Sequence, residues 1–321
     1  MNHLIELFKK RKYNYCDIYK YEKTIRFLSK DYRDINFFIA VKGKTDYFKA
    51  TLNNVLISSK NCGLKIKIVV VEQDDTPINY EFCKELKVDY IFIPQEISYC
   101  ENFHSTALMY NVGYLFSNKA TYNMFHCCDI LLPHDFFKVL EENYLKKDCF
   151  TWLQPFHGKR VISVDEDTTK KFLSGELMSV DPSNESISKN YVPEDSGAPG
   201  GCICVYSKTM DEIGGYDPEL FYAYSPEDAF FWAKLEVATN KCKVSNLHTG
   251  AALYADNPII EIYHLNHERQ IGNNQNYKDM LKLYLSFMED FSFENQVEYI
   301  EFKAKKFKKH KKKLIKLKES L

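Results

Sequence analysis

No apolar run in these 321 residues approaches the ~20 needed to cross a bilayer, so a membrane-spanning chain is not expected. The N-terminus, MNHLIELFKKRKYNYC, has a short apolar patch before its lysines and no small-residue cleavage site, and is not read as a signal peptide. Internal repeats are absent. Ten cysteines are present, but no C-x-x-C pair, which argues against zinc sites of the usual spacing. Cys202 and Cys204 stand two apart on an expected strand, share a face and should pack as small hydrophobes. Reduced thiols and a cytoplasmic location are the expectation. No nucleic-acid recognition motif occurs, and no nucleic-acid partner is expected.

Net charge is close to zero at −1, yet it is unevenly placed. Residues 301–321 carry ten lysines against two glutamates, leaving the first 300 residues at about −9. Phe307, Leu314, Leu317 and Leu321 fall near one helical face of that tail, so 302–321 reads as a basic amphipathic helix. Such a helix suits peripheral contact with an anionic membrane, at the inner face if the chain is cytoplasmic. With 45% hydrophobic and 27% charged residues, the remainder is ordinary for a globular protein with a sizeable core. Tyr and Phe number 23 each, an aromatic load compatible with carbohydrate contacts.

Strand-length apolar runs alternate with helical patterns. Residues 35–41, 66–71, 88–93 and 122–126 read as strands, and 45–59 and 103–116 as helices. That alternation implies an α/β fold with a mostly parallel central sheet flanked by helices. Ligands in such sheets bind beyond the carboxyl ends of the strands, where loops 42–44, 72–77 and 127–129 fall. Residues 1–34 are expected as a helical extension and 274–321 as C-terminal helices with the basic tail. The domain between them is expected over 35–273, divided near 133. Residues 178–199 are polar and turn-rich and suit a surface loop or lid.

The most informative stretch runs from Gly200 to Leu235: paired glycines, a short strand, a helix ending in Gly214-Gly215, the aromatic loop 221–224, and Glu227-Asp228 opening a helix. Ser225-Pro226-Glu227-Asp228 is a good helix start in its own right. Taken with the aromatics, it equally suits a glycosyl-transfer site, where a carboxylate takes a proton from an acceptor hydroxyl. Asp129 at a strand end, and Glu261, His264 and His267 near a later one, supply oxygen and imidazole donors for a divalent cation.

The order Asn111-Val112-Gly113, then Cys127-Cys128-Asp129-Ile130-Leu131-Leu132-Pro133, resembles the N-V-G … D-V-D-L-I-P order of the beta-1,4-galactosyltransferase family. Gly200-Gly201, Gly214-Gly215-Tyr216 and Tyr224-Ser225-Pro226-Glu227-Asp228 resemble its F-G-G … N-G-F … W-G-W-G-G-E-D-D-D block, and Glu261-Ile262-Tyr263-His264 its M-I-R-H segment. The resemblance spans about residues 35–270. It implies a GT-A fold (Rossmann-like) and an inverting, Mn²⁺- or Mg²⁺-dependent transfer of a hexose from a UDP-sugar, UDP-galactose-like, to a glycan hydroxyl. It makes Asp129 and His264 metal ligands, with Glu261 and His267 beside them. Asp228 becomes the general base, Glu227 an acid that also binds acceptor, and Tyr222 and Tyr224 acceptor contacts. Donor contacts are expected at Lys42, Lys44, Asp74, Asp75, Cys127, Gly200 and Gly201. Cys127 replaces the first Asp of the family's D-x-D, and Ala40-Val41-Lys42-Gly43-Lys44 replaces its nucleotide loop. The alternatives are a hexosaminyl or polymerase-type transferase with another UDP-sugar, and a catalytically silent carbohydrate-binding protein of the same fold.

Overall fold

The structure is a computed structural model that describes residues 3–97, 104–143, 145, 152–153, 161–181, 189–191, 202–240, 261–267 and 275–320. In chain order the elements begin α1 (His3–Lys10), α2 (Tyr15–Lys20), β1 (Ile25–Phe27), β2 (Arg33–Val41), α3 (Thr45–Ser58), β3 (Ile66–Asp74), α4 (Tyr80–Glu85) and β4 (Asp89–Pro94). They continue with α5 (Thr106–Phe116), β5 (Ala120–Cys127), β6 (Ile130–Leu131), α6 (Phe136–Asn143), β7 (Trp152–Leu153), β8 (Val161–Val164) and α7 (Glu166–Ser174). The last are β9 (Lys189–Tyr191), β10 (Cys202–Tyr206), α8 (Ser207–Ile213), α9 (Glu227–Asn240), β11 (Ile262–His264), α10 (Gln275–Leu285) and α11 (Phe293–Ser320).

The main sheet has the order β1-β4-β3-β2-β5-β10-β7. Its centre, β4-β3-β2-β5, is parallel, and β1, β10 and β7 are antiparallel additions. Central strands buried on both faces explain the unbroken apolar runs of the sequence. In β2 the side chains alternate between two cores: Phe37, Ile39 and Val41 meet α3 and α6 residues such as Phe48, Leu52 and Phe137. Phe38 and Ala40 meet α5, α9 and the terminal helices.

The chain leaves β2 for β3 and β4 on one side, then returns to place β5 on the other. Strand order therefore reverses between β2 and β5. Their carboxyl ends lie level, with Ala40 opposite Cys127, and this switch point is where an open α/β sheet forms its binding crevice. A second sheet, β6-β11-β8-β9, adjoins it. There β11 runs antiparallel to β6, placing His264 opposite Ile130, one residue from Asp129.

Three expectations need revision. Residues 1–34 are not purely helical, because β1 pairs with β4 and β2 begins at Arg33. Residues 161–174, in the stretch 149–199 where the alternating pattern weakens and no element is expected, hold β8 and α7, the latter capped by Asp165, which accepts from the Thr168 amide at 2.8 Å. The tail is an integral helix: Phe307 and Leu314 are buried in the core, so its apolar side faces protein rather than a bilayer.

Candidate active site

At the switch point the turn after β2 takes left-handed backbone at both Gly43 and Lys44. This turns Lys44 across the crevice: its Nζ donates to Asp129 Oδ2 at 2.8 Å and lies 3.3 Å from His267 Nε2. His267 Nε2 is 3.0 Å from the same Asp129 oxygen. Asp129, His264 and His267 each offer a ligand atom, and these atoms lie within 4.8 Å of one another. Burial acts to raise the Asp129 carboxyl, but the His267 hydrogen bond and the charges of Lys44 and His264 hold it well below the usual range. It stays an anion at any working pH. Asp129 in turn keeps the Lys44 ammonium charged against the burial that opposes it.

Glu261 falls outside this group. Its Oε2 accepts from Tyr263 Oη at 2.9 Å. In β11 successive side chains alternate, so Tyr263 and Glu261 share the side opposite His264.

The neighbouring turns complete the near wall. Lys42 Nζ donates to Gln95 Oε1 at 2.8 Å, the Gly43 amide donates to Asp74 Oδ2 at 3.1 Å, and the Asp75 amide donates to Asp74 Oδ1 at 2.8 Å. Asp74 thus fixes the Gly43 turn, while Asp75 points to solvent. His104, which no motif singles out, sits beside Lys42 and Lys44. Burial, then the two lysine charges, push its pKa down to about 4, so it is neutral.

The opposite wall is the start of α9. Ser225 Oγ donates to Glu227 Oε2 at 2.8 Å, and the Ala229 amide donates to Asp228 Oδ1 at 2.6 Å. Burial, reinforced by the Asp228 charge, pushes the Glu227 carboxyl up to about 8. Cys127 lies within electrostatic reach of both groups. Its thiol is pushed well up by burial and by the charges of Asp129, Asp228 and Glu227, so it is a neutral, uncharged lining. The aromatic loop before α9 is tied in by the Ala223 amide, which donates to the His104 carbonyl at 3.0 Å. Tyr224, half exposed, stacks on Tyr277 of α10 at 5.4 Å between centroids, and Arg11 lies 4.7 Å over the Tyr222 ring. Tyr277 is a second residue missed in the sequence, where it stands only as an aromatic on a helix. Gly200 and Gly201 lie outside the described residues.

The other motif residues support the scaffold. Asn111 Nδ2 donates to the Tyr216 carbonyl at 2.9 Å and its Oδ1 accepts from the Tyr216 amide at 2.8 Å, clamping α5 to the turn after α8. A Cβ on Gly113 would stand 2.8 Å from the Phe38 ring. Gly214 and Gly215 hold left-handed backbone, and Cβ atoms there would meet the backbone of α11 at 2.6 Å and Asn111 Oδ1 at 2.5 Å. These glycines admit a helix, not a ligand.

No family model matches the chain, and no curated protein matches it. Among solved structures, it is similar to a Drosophila beta-1,4-galactosyltransferase 7 mutant in complex with manganese, UDP-Gal and xylobiose. That likeness has a TM-score of 0.43 and 14% identity, over 77% of this chain and 78% of that one. It is similar to a mannosyltransferase from Pyrobaculum calidifontis in complex with GDP-Man and Mn²⁺, with a TM-score of 0.38, 9% identity, and 84% and 67% covered. It is also similar to glucosyl-3-phosphoglycerate synthase from Mycobacterium tuberculosis, with a TM-score of 0.44, 12% identity and 80% of each chain covered. At these scores the likenesses carry no chemistry, which rests on the residues of the crevice.

Proposed function

We propose that this chain is a metal-dependent GT-A glycosyltransferase that moves a hexose from a UDP-sugar to a glycan hydroxyl with inversion. One observation carries the reading: a tight carboxylate–imidazole cluster at the switch point and the carboxylate pair that opens α9 both act on the buried Cys127 thiol, which sets them in one neighbourhood. The donor set fits a divalent cation. It pairs one hard anionic oxygen with two imidazoles, a mixture suited to Mn²⁺, and in this structure the cationic Lys44 ammonium is already drawn to it. Asp129, His264 and His267 would hold the ion, and when bound it would neutralise charge on the leaving diphosphate.

The remaining work belongs to the chain. Lys42 and Lys44 lie on the diphosphate side of the crevice. Tyr222 and Tyr224 offer faces on which a sugar acceptor stacks. Glu227, protonated at neutral pH, donates a hydrogen bond to an acceptor hydroxyl, and its neutrality leaves the charge of the pair on Asp228. Asp228 then takes the proton of the attacking hydroxyl as the acceptor oxygen bonds to the anomeric carbon. The bond from that carbon to the donor phosphate oxygen breaks, and UDP leaves with its electron pair. Direct displacement from the opposite face inverts the anomeric centre.

The cytoplasmic placement belongs to the same proposal, and the buried free thiols of Cys83, Cys202 and Cys204 are in keeping with it. No described helix is long and apolar enough to cross a membrane.

Asp228→Asn tests the reading. It keeps the side-chain oxygen that accepts from Ala229 but cannot take a proton. With a panel of UDP-sugars, turnover should fall ~10²–10⁴-fold while UDP and Mn²⁺ binding persist. A variant that turns over at the wild-type rate but is about 1 kcal/mol less stable would make Asp228 a helix cap only.

A further inference from the structure

The lysines of α11 divide into two sets. Lys303, Lys311 and Lys318 serve the fold. Lys303 Nζ donates to Glu219 Oε2 at 2.6 Å, Lys311 pairs with Asp211 at 2.7 Å, and Lys318 donates to the carbonyls of Leu115 and Phe116 that end α5. The rest do not. Lys305, Lys306, Lys308, Lys309, Lys312, Lys313 and Lys316 are exposed, and none makes an ion pair among the described residues.

Their spacing is not random. Lys305, Lys308, Lys309, Lys312, Lys313 and Lys316 follow one another at helical steps of three and four and line a single open hollow. At 1.5 Å per residue this stripe is about 16 Å long. Like charges at those separations oppose helix formation. The helix dipole offsets this only in the last turn, and Lys305 to Lys309 lie more than two turns before it. Apart from Glu212 and Glu301 at one end, no carboxylate lines the hollow. The apolar side of α11 is buried, so the stripe gains nothing by insertion, yet Ile315 is 40% exposed among the lysines.

We infer that the exposed lysine stripe of α11 seats this protein on an anionic lipid surface, by charge alone and with the helix still packed in the fold. A straight stripe on a rigid helix makes line contact with a plane. A nucleic acid fits less well: no aromatic is exposed along the stripe for a base to stack on, and the first 300 residues carry a net charge of about −9. The inference stands on α11 and is independent of the reaction proposed for the crevice.

The test uses the full chain with vesicles of phosphatidylcholine alone and of phosphatidylcholine with phosphatidylglycerol. Binding should require the anionic lipid and fall steeply between 0.05 and 0.5 M salt, both values chosen to bracket about a threefold change in Debye length. Each lysine near such a surface is worth about fivefold in partition. Changing Lys305, Lys308, Lys312 and Lys316 together to Gln, which keeps helix propensity, should therefore weaken binding at least ~100-fold. Circular dichroism should be unchanged and melting should not fall below the wild-type value, since like-charge repulsion along the helix is relieved, which separates lost docking from lost folding. Equal binding to neutral vesicles, anionic binding unchanged in the variant, or tighter binding to duplex DNA than to vesicles at the same salt would each overturn the inference.

Discussion

Glu227 and Lys44 hold charge states that a sequence does not disclose. Glu227 is raised by burial and by Asp228, so the folded protein keeps a proton that the unfolded chain releases near pH ~4.3. Its contribution to stability is full below that pH and is lost as pH rises through the folded value of about 8. Chemical denaturation of wild type and Glu227→Gln at pH 5, 6.5 and 8 should show the variant gaining on wild type with each step. A constant difference would mean that Glu227 ionises normally. Lys44 stands in the donor set as a competing cation, 41% exposed and bonded to Asp129. Lys44→Met should tighten Mn²⁺ binding to the nucleotide-free protein, by roughly threefold to tenfold if the repulsion is about 1 kcal/mol. Counting free Mn²⁺ by electron paramagnetic resonance reads this directly. Unchanged or weaker binding would place the ion elsewhere. Asp129, His264 and His267 could be nominated from residue type and strand-end position. Glu261 could not be told apart from them, because its side depends on the strand phase of β11 and on Tyr263.

At the scale of elements, long strands with continuous apolar runs were legible and short ones were not. β2, β3, β4 and β5 announce themselves over six to nine residues, whereas β6 and β7 have two each and β1 three, too few to show a period. β1 and β7 owe their existence to a neighbour's edge. α7 did carry readable signals, Asp165 as cap and Gly175 in the left-handed stop, masked by polar surroundings. The paired glycines mislead in the other direction. Gly214-Gly215 reads in the sequence as the end of a helix within a glycine-bearing block that suits a glycosyl-transfer site, but the partner that comes close is α11, nearly ninety residues later in the chain, which no local pattern indicates. Gly215→Ala should cost about 1–2 kcal/mol for its left-handed backbone, and a further 1–3 for crowding against Asn111 and Phe307. Activity per folded molecule should be retained. A variant as stable as wild type, or stable but inactive, would contradict this packing role.

Across the whole molecule, the reversal of strand order between β2 and β5 gathers residues from 42 to 267 into one crevice. The alternating pattern predicts that a crevice forms; which loops meet there follows only from pairing. The terminal helices are part of the same body. Lys303 and Lys234 both reach Asp217, and Tyr299 Oη donates to it at 2.5 Å, so α11 closes a buried charge network behind α9. The helix that begins with Glu227 and Asp228 is thereby braced from behind. The molecule presents an acidic-and-imidazole crevice at the carboxyl ends of its central strands and a basic stripe on α11 with no ion pair among the described residues.

The proposed chemistry requires this crevice to bind a nucleotide diphosphate through a divalent cation held by Asp129, His264 and His267. Calorimetric titration of UDP into the protein, with and without Mn²⁺, and into Asp129→Ala with Mn²⁺, tests it most directly. UDP binding should depend on Mn²⁺ and be lost in Asp129→Ala, whose melting temperature should stay near that of wild type. UDP binding of equal strength without the metal, or undiminished in Asp129→Ala, would contradict it.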